Sequence, residues 1–178
     1  EGAHTAVNGE KTIMRYGDFV ITPPMAWHDH GNETSEPMFW LDGLDIPVAS
    51  FLDASFAEQL GEDEQVVTRE TGQSYTEFGH ALRPEGEHGG LSSPIFNYPY
   101  ERSLEVLDAM ERGREMDPCH GWKLVYTNPL NGNDAMPTIG TAIQKLPKGS
   151  TTPYKSTSAT TFVCTEGSGR SRIGDETI

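Results

Sequence analysis

The chain has 178 residues, in which 13 Lys and Arg stand against 27 Asp and Glu, for a formal net charge of −14 at pH 7. This acidic balance argues against nucleic acid and anionic membrane surfaces as partners, because both require a basic face on the protein. No apolar run approaches the roughly 20 residues of a membrane span, and 19 Gly and 12 Pro favour a turn-rich, strand-rich globular chain over a helical bundle.

The first fifty residues are predicted to form an antiparallel β-meander. Strands at residues 3–7 and 10–14 flank Asn8-Gly9, a dipeptide that tolerates the positive φ angles of a type I′ hairpin turn. Three further short strands are predicted at residues 19–22, 27–30 and 38–41, with a turn at residues 31–33. Short strands at roughly ten-residue spacing are typical of a sandwich, a jelly roll or a small barrel.

The middle of the chain is predicted to hold one long helix, from about residue 100 to residue 114. Leu104, Leu107 and Met110 form an apolar stripe at helical spacing there. The rest of this region is predicted as a helical turn or two and then a long acidic, Gly-rich loop, at residues 47–60 and 61–90. Strands return after Pro137, at residues 138–146, 159–165 and 169–173, before a turn at Gly174-Asp175.

The side chains best suited to chemistry lie near the end of the meander, in the sequence WHDHGN of residues 27–32. On a strand successive side chains alternate faces, so His28 and His30 share one face while Asp29 points to the other. Neutral imidazole is the commonest metal ligand in proteins, and a pair at i, i+2 can place one ring on a metal and the other beside it. The alternative is that both are polar residues at the rim of a barrel.

The spacing of Gly17, Pro23, His28 and Asn32 resembles the second conserved motif of the cupin superfamily, with Met25 where many members have Gly. The wider sequence is similar to the gentisate 1,2-dioxygenase family, whose close relatives act on salicylate and on 1-hydroxy-2-naphthoate. The similar stretches lie at residues 27–32, 40–47, 93–102, 135–140, 146–149 and 153–157. They follow one another in order over nearly the whole chain.

The resemblance implies a mainly all-β fold, a bicupin of two jelly-roll-like double-stranded β-helix barrels. Residues 1–50 would be the C-terminal part of the first barrel, residues 51–135 a connector with one helix, and residues 136–178 the N-terminal part of the second barrel. Both barrels would be truncated, and the chain would be an internal piece of a longer protein. Residues 153–157 contain no histidine where a metal-binding cupin carries His-x-His, which implies a structural role for the second barrel.

The same resemblance implies an Fe(II) site with three histidine ligands, two of which would lie upstream of Glu1. His28 carries over as the third ligand and is the metal-binding residue of this chain. His30 carries over as an outer-shell residue beside substrate or oxygen, and Asp42 as part of the polar shell of the pocket, so both are assigned to catalysis. Asp42 and Asp45 could equally be turn residues, and for Asp45 this simpler interpretation is preferred.

The remaining polar candidates are expected to have structural roles. Tyr154 and Lys155 could bind an anion, but a solvated loop is the preferred interpretation. Cys119 and His120 are adjacent in the chain, so thiolate and imidazole cannot easily be oriented towards each other without a third group. The other histidines without an assigned role are His4, His80 and His88. Two cysteines in unlike surroundings do not suggest a disulfide framework and favour a reducing compartment, so a cytoplasmic location is expected.

The expected function is ring cleavage of an aromatic ortho-hydroxy acid by dioxygen, with gentisate converted to maleylpyruvate. The substrate carboxylate and its neighbouring phenolate oxygen can chelate Fe(II) together and leave one position for O₂. A homo-oligomer is also expected, a tetramer by the resemblance. The alternatives are a dioxygenase of the same family that acts on salicylate or 1-hydroxy-2-naphthoate, a cupin isomerase, and a non-enzymatic cupin that retains one motif by descent.

Overall fold

The computed structural model describes residues 2–178, so Glu1 lies outside the described residues. The strands are β1 (Ala3–Val7), β2 (Glu10–Ile13), β3 (Phe19–Val20), β4 (His28–Asn32), β5 (Asn97–Tyr98), β6 (Trp122–Val125), β7 (Ala142–Lys145), β8 (Arg172–Ile173) and β9 (Glu176–Thr177). The helices are α1 (Ile46–Phe51), α2 (Gln73–Phe78) and α3 (Tyr100–Gly113). No helix within residues 2–178 has the length and apolar character needed to cross a membrane.

The first half of the chain is built on a three-stranded antiparallel sheet in the order β2-β1-β4. The central strand β1 is buried along all of its residues. It turns into β2 through Asn8 and Gly9, whose φ angles of 47° and 82° are both positive, as a type I′ turn requires. Strand β4 pairs with the other edge of β1 and places His30 opposite Thr5. The predicted hairpin is therefore confirmed, and an outer strand of the sheet carries the two histidines.

The chain after β4 differs from the prediction. The strand predicted at residues 38–41 is wrong, since residues 37–45 have no regular structure and Phe39 is 95% exposed. A strand needs a neighbour for its main-chain hydrogen bonds, and within residues 2–178 no strand pairs with this stretch. The turn predicted at residues 31–33 is displaced to residues 34–36. Asn32 shapes it, because its Oδ1 accepts the N–H of Thr34 at 3.0 Å.

All three helices lie between β4 and β6, α2 and α3 within residues 51–135 and α1 at the start of that region. The long helix was predicted correctly, and α3 buries Leu107 almost completely while Leu104 and Met110 are half-buried. Helix α1 falls at the start of the predicted helical turns. The loop predicted at residues 61–90 is wrong at α2, a six-residue helix with Ser74 and Phe78 buried. So short a helix is not stable by itself, and it forms because tertiary contacts hold it, which the local sequence does not reveal.

The buried carboxylate of Glu10 bonds the connector to the β1–β2 hairpin. Glu10 is 0% exposed, and its two oxygens accept the N–H of Ser74 at 3.0 Å and the Ser74 hydroxyl at 2.8 Å. The guanidinium of Arg69 lies 3.7 Å from the same carboxylate. The carbonyl of Gly9 accepts the N–H groups of Thr68 and Arg69 at 2.9 and 3.0 Å. A buried charge is tolerated when it is paired and hydrogen-bonded, so hairpin and connector pack as one unit.

The second half of the chain contains two separate strand pairs. Strands β6 and β7 pair antiparallel, and Lys145 of β7 bonds Asp108 and Glu111 of α3 at 2.7 and 2.6 Å. Strand β7 lies within the predicted strand at residues 138–146, whereas β6 was not predicted. The strand predicted at residues 159–165 is absent, and no strand within residues 2–178 pairs with that stretch. Strands β8 and β9 flank Gly174-Asp175, which confirms that turn.

Candidate metal and catalytic site

The candidate site lies on one face of β4. Val7 is directly opposite His28 in the pairing of β1 with β4, and Thr5 is opposite His30. Directly opposed residues of antiparallel strands share a face, so both imidazoles project on the side of Thr5 and Val7, while Asp29 lies on the other side. The two imidazole centroids are 5.6 Å apart, and both side chains are exposed. The prediction that His28 and His30 share one face, with Asp29 on the other, is therefore confirmed.

The imidazole of His28 has the orientation of a metal ligand. Its Nδ1 lies 3.3 Å from the carbonyl oxygen of Ala26. A carbonyl oxygen only accepts hydrogen bonds, so Nδ1 is the donor in this contact, and the neutral form of this tautomer has its lone pair on Nε2. Metal-bound histidines typically donate their other ring N–H to a carbonyl or carboxylate in this way, which fixes the tautomer and the ring orientation. The residue therefore fits a metal bound through Nε2.

The imidazole of His30 is held more tightly than that of His28. Its Nδ1 lies 2.9 Å from the Thr5 hydroxyl, and its ring centroid is 5.7 Å from that of Trp40. Partial burial, together with the neighbouring His28, lowers the pKa of His30 below its ordinary value, against the opposing effect of the carboxylate of Asp42. A neutral imidazole whose Nδ1 is occupied presents Nε2 as the atom available to a bound molecule.

The two acidic candidates differ in their surroundings. Asp42 is exposed and lies close enough to His30 for its charge to act on that imidazole. Asp45 instead precedes α1, where its carbonyl accepts the N–H groups of Val48 and Ala49, and its side chain accepts the hydroxyl of Thr138 at 2.5 Å. The charge of Asp42 thus acts on His30, whereas Asp45 lies at the start of α1 and contacts Thr138.

Residues 2–178 do not complete a metal site by themselves. No group of three or more His, Cys, Asp or Glu side chains in this part of the chain lies close enough together to hold a metal ion. His28 and His30 therefore do not form a closed coordination sphere within residues 2–178.

A separate cavity of about 280 Å³ lies in the second half of the chain and is lined by Cys119, His120, Pro153, Tyr154 and Lys155. The ring of Tyr154 is 5.4 Å from that of His120, and hydrogen bonds with Thr160 and Ser156 lower the pKa of its phenol. The cavity shares no lining residue with the face of β4. The structure thus groups the side chains of residues 119–120 and 153–155 away from the candidate metal ligand.

The other histidines do not share the face of the pair. His4 is buried on the opposite face of β1, where its ring packs against Gly31. The ring of His80 lies 5.6 Å from that of Tyr75, and His88 is exposed in the loop after α2.

Two neighbours of His30 were not found from the sequence. Thr5 contacts it because β1 and β4 pair across the sheet, and that pairing joins segments more than twenty residues apart. Trp40 contacts it from a stretch with no regular structure. The alternation of side chains along a strand places Thr5 on the face of His30 only when the pairing of β1 with β4 is already known.

Comparison with known proteins supports the class of fold first. Residues 1–44 match the family described as "Cupin domain". The salicylate 1,2-dioxygenase from Pseudaminobacter salicylatoxidans superimposes with a TM-score of 0.70 at 34% identity, over 79% of this chain and 42% of that protein. The structure of the same enzyme with gentisate superimposes with a TM-score of 0.71 at 32% identity, over 80% of this chain and 41% of that protein. The predicted cupin fold, mainly built of strands, is confirmed.

The sequence comparisons then identify the relatives. A gentisate 1,2-dioxygenase of Aquipseudomonas alcaligenes is 56% identical over 177 residues, which are 98% of this chain and 51% of that protein. A 1-hydroxy-2-naphthoate 1,2-dioxygenase of Nocardioides sp. (strain KP7) is 37% identical over 99% of this chain and 46% of that protein. The chain is thus a homologue of the gentisate 1,2-dioxygenases, as its motifs predicted. It spans about half the length of the curated relatives it matches.

Proposed function

We propose that the whole protein is an Fe(II)-dependent dioxygenase that cleaves the ring of an aromatic ortho-hydroxy acid, and that it converts gentisate to maleylpyruvate. The observation that carries this proposal is the orientation of His28, whose Nδ1–H is directed to the Ala26 carbonyl and whose Nε2 keeps its lone pair. The 56% identity to a gentisate 1,2-dioxygenase supports the choice of substrate.

In this proposal His28 holds the metal through Nε2, and two further histidines come from chain beyond residues 2–178. The length of the relatives, about twice that of this chain, leaves room for them. When bound, Fe(II) would bring the substrate carboxylate and phenolate together with O₂ and supply the redox chemistry.

His30 is proposed to act on the bound reactants rather than on the metal. Its Nδ1 is occupied by Thr5, so Nε2 is the atom that can give or take a proton beside the substrate. A pKa below the ordinary value of histidine favours the neutral imidazole, which takes a proton through Nε2, and the imidazolium that results can give the proton back. Trp40 limits the movement of the ring from one side. Asp42, whose charge acts on His30, contributes polar surface beside the same imidazole.

We further propose the domain division expected from the sequence, with residues 1–50 and 136–178 in two cupin barrels and residues 51–135 connecting them. A homotetramer is proposed for the whole protein. Its support is the resemblance to the gentisate 1,2-dioxygenase family, and large apolar side chains exposed beyond β4, such as Phe39 at 95% and Phe51 at 88%, offer surface for contacts between subunits. A cytoplasmic location is proposed on the two free cysteines, Cys119 and Cys164.

Two further candidate substrates are favoured by particular relatives. Solved structures that match this chain include salicylate 1,2-dioxygenases, and the relative from Nocardioides acts on 1-hydroxy-2-naphthoate by its name. All three acids present a carboxylate beside a hydroxyl on an aromatic ring. The same pocket chemistry would therefore serve each of them, with the size of the pocket deciding between them.

The test is oxygen consumption by the whole protein loaded with Fe(II), measured with gentisate, salicylate and 1-hydroxy-2-naphthoate in parallel. We expect the highest kcat/KM with gentisate, together with a ring-cleaved product in the absorption spectrum. The 178-residue chain alone, assayed beside it, should consume no oxygen above background, because one imidazole cannot hold Fe(II) against water. Absence of uptake by the whole protein with all three acids would favour a non-enzymatic cupin.

A further inference from the structure

Gln65, in the connector, joins three segments of the first sheet with one side chain. Its Nε2 donates to the carbonyls of Ala6 at 3.1 Å and Trp27 at 3.3 Å. Its Oε1 accepts the N–H of Gly9 at 2.5 Å. Its own main-chain N–H donates to Oδ2 of Asp29 at 3.0 Å. The side chain thus uses both amide hydrogens and its oxygen on the sheet, and the main chain adds a fourth bond.

These contacts lie on both sides of His28 in the chain, the residue proposed as the metal ligand. Trp27 directly precedes His28 and Asp29 directly follows it, while Ala6 is opposite Asp29 in the pairing of β1 with β4. Asp29 and Ala6 lie on the face of the sheet opposite the imidazoles. Gln65 therefore contacts the start of β4 from the face of the sheet opposite the imidazoles.

The direction of the imidazole depends on this part of the main chain. The ring of His28 bonds the carbonyl of Ala26. Trp27, which lies between these two residues, makes two hydrogen bonds with Asn8. Its N–H donates to Oδ1 of Asn8, and its carbonyl accepts the N–H of Asn8. Gln65 adds the third bond to Trp27. A rotation of these peptides would turn the ring, and a displacement of only about 0.5 Å already degrades a site that needs defined geometry.

We infer that Gln65 is a positioning residue, which sets the direction of His28 from the opposite face of the sheet and thereby raises the affinity of the site for its metal. The inference rests on the proposed function, in which His28 is a ligand. Removal of the groups that orient a metal-bound histidine typically lowers metal affinity about 10- to 100-fold, and we expect a loss within that range for Gln65→Ala.

The control separates positioning from stability. Gln73 is also a connector glutamine, and its side chain accepts the N–H of Glu70 at 3.2 Å and donates to Glu77 at 2.7 Å. These bonds stabilise the start of α2 and make no contact with β4. Gln73→Ala should therefore lower the melting temperature of the whole protein and leave metal affinity unchanged.

The experiment is titration of the metal-free whole protein with Co(II), followed by the Co(II) absorption spectrum, so that no turnover is required. We expect Gln65→Ala to bind Co(II) about tenfold or more weakly and to change the absorption bands, while Gln73→Ala matches the wild type. If Gln65→Ala does not fold, Gln65→Glu replaces it, since a carboxylate still accepts from Gly9 but cannot donate to Ala6 or Trp27. Weaker binding is expected for it too.

Co(II) affinity and spectrum of the Gln65 variants equal to those of the wild type, with only the melting temperature lowered, would overturn the inference and leave the proposed function intact. Equal losses of affinity in the Gln65 and Gln73 variants would also overturn it, because the effect would then follow stability. A wild-type protein that binds no Co(II) would instead refute the proposed metal site, and the inference with it.

Discussion

Replacement of Glu10 by Gln tests how the connector is held to the hairpin. The carboxylate is completely buried and receives two hydrogen bonds from Ser74, at 3.0 and 2.8 Å, with Arg69 at 3.7 Å. Glutamine has nearly the same shape, but one of its two polar atoms is an NH₂ group. That group would face a donor of Ser74, and the attraction to Arg69 would be lost.

The size of the effect follows from these contacts. A hydrogen bond to a charged group contributes about 1.5–3 kcal/mol, and a buried donor left without an acceptor adds a desolvation penalty. The side chain of Arg69 is 28% exposed, so water compensates part of its loss. We therefore expect Glu10→Gln to lower the free energy of opening the contact between connector and hairpin by about 2–3 kcal/mol, or roughly 30- to 150-fold in the opening equilibrium.

Hydrogen exchange followed by mass spectrometry measures this locally in the whole protein. Peptides that cover α2 should lose protection by the factor given above, whereas peptides from α3 should change little, because opening free energies differ between parts of a fold. Glu77→Gln is the control. Glu77 bonds the same Arg69 at 3.3 Å but is one-third exposed, and an exposed pair contributes at most about 1 kcal/mol. Equal protection of α2 in Glu10→Gln and wild type would refute the role of the buried carboxylate.

Three further outcomes are expected. Gly31→Ala should lower stability by about 1–3 kcal/mol, because its Cβ would lie 2.5 Å from the ring of His4; an unchanged melting temperature would show that the ring moves aside. Asn128→Ala should cost about 2–4 kcal/mol in urea unfolding, since the fully buried amide donates to two main-chain carbonyls at 3.0 and 3.1 Å; a loss well under 1 kcal/mol would contradict this. The hydrogen bond from Lys145 lowers the pKa of Asp108, so its stabilisation is present at neutral pH and disappears as pH falls through that lowered pKa. The difference in melting temperature between Asp108→Asn and wild type should therefore shrink on acidification, and a difference that grows in acid would contradict the assignment.

The parts of the fold that could be predicted depend on local signals. Asn8-Gly9 determined the hairpin because few dipeptides accept two positive φ angles, and α3 was found because its apolar stripe runs over several turns. The shared face of His28 and His30 followed from the alternation of side chains along a strand. In each case the physical cause lies within a few residues of the feature it determines.

The parts that could not be predicted depend on distant partners. Helix α2 forms because Ser74 bonds Glu10, sixty-four residues earlier, and β6 forms because β7 pairs with it. Residues 38–41 have the composition of a strand but remain irregular, since composition does not supply a neighbouring strand. The contacts of Thr5 and Trp40 with His30 were missed for the same reason, because they join elements whose association is a property of the whole sheet.

Metal content of two single variants of the whole protein decides whether His28 is the metal ligand. Purified under identical conditions with Fe(II), His28→Ala should retain almost no iron, because His28 is the proposed ligand. His30→Ala should retain most of its iron and lose turnover, as expected for a residue that acts beside the metal. Loss of iron from His30→Ala together with retention by His28→Ala would show that the two roles are reversed and would refute the assignment of His28 as the ligand.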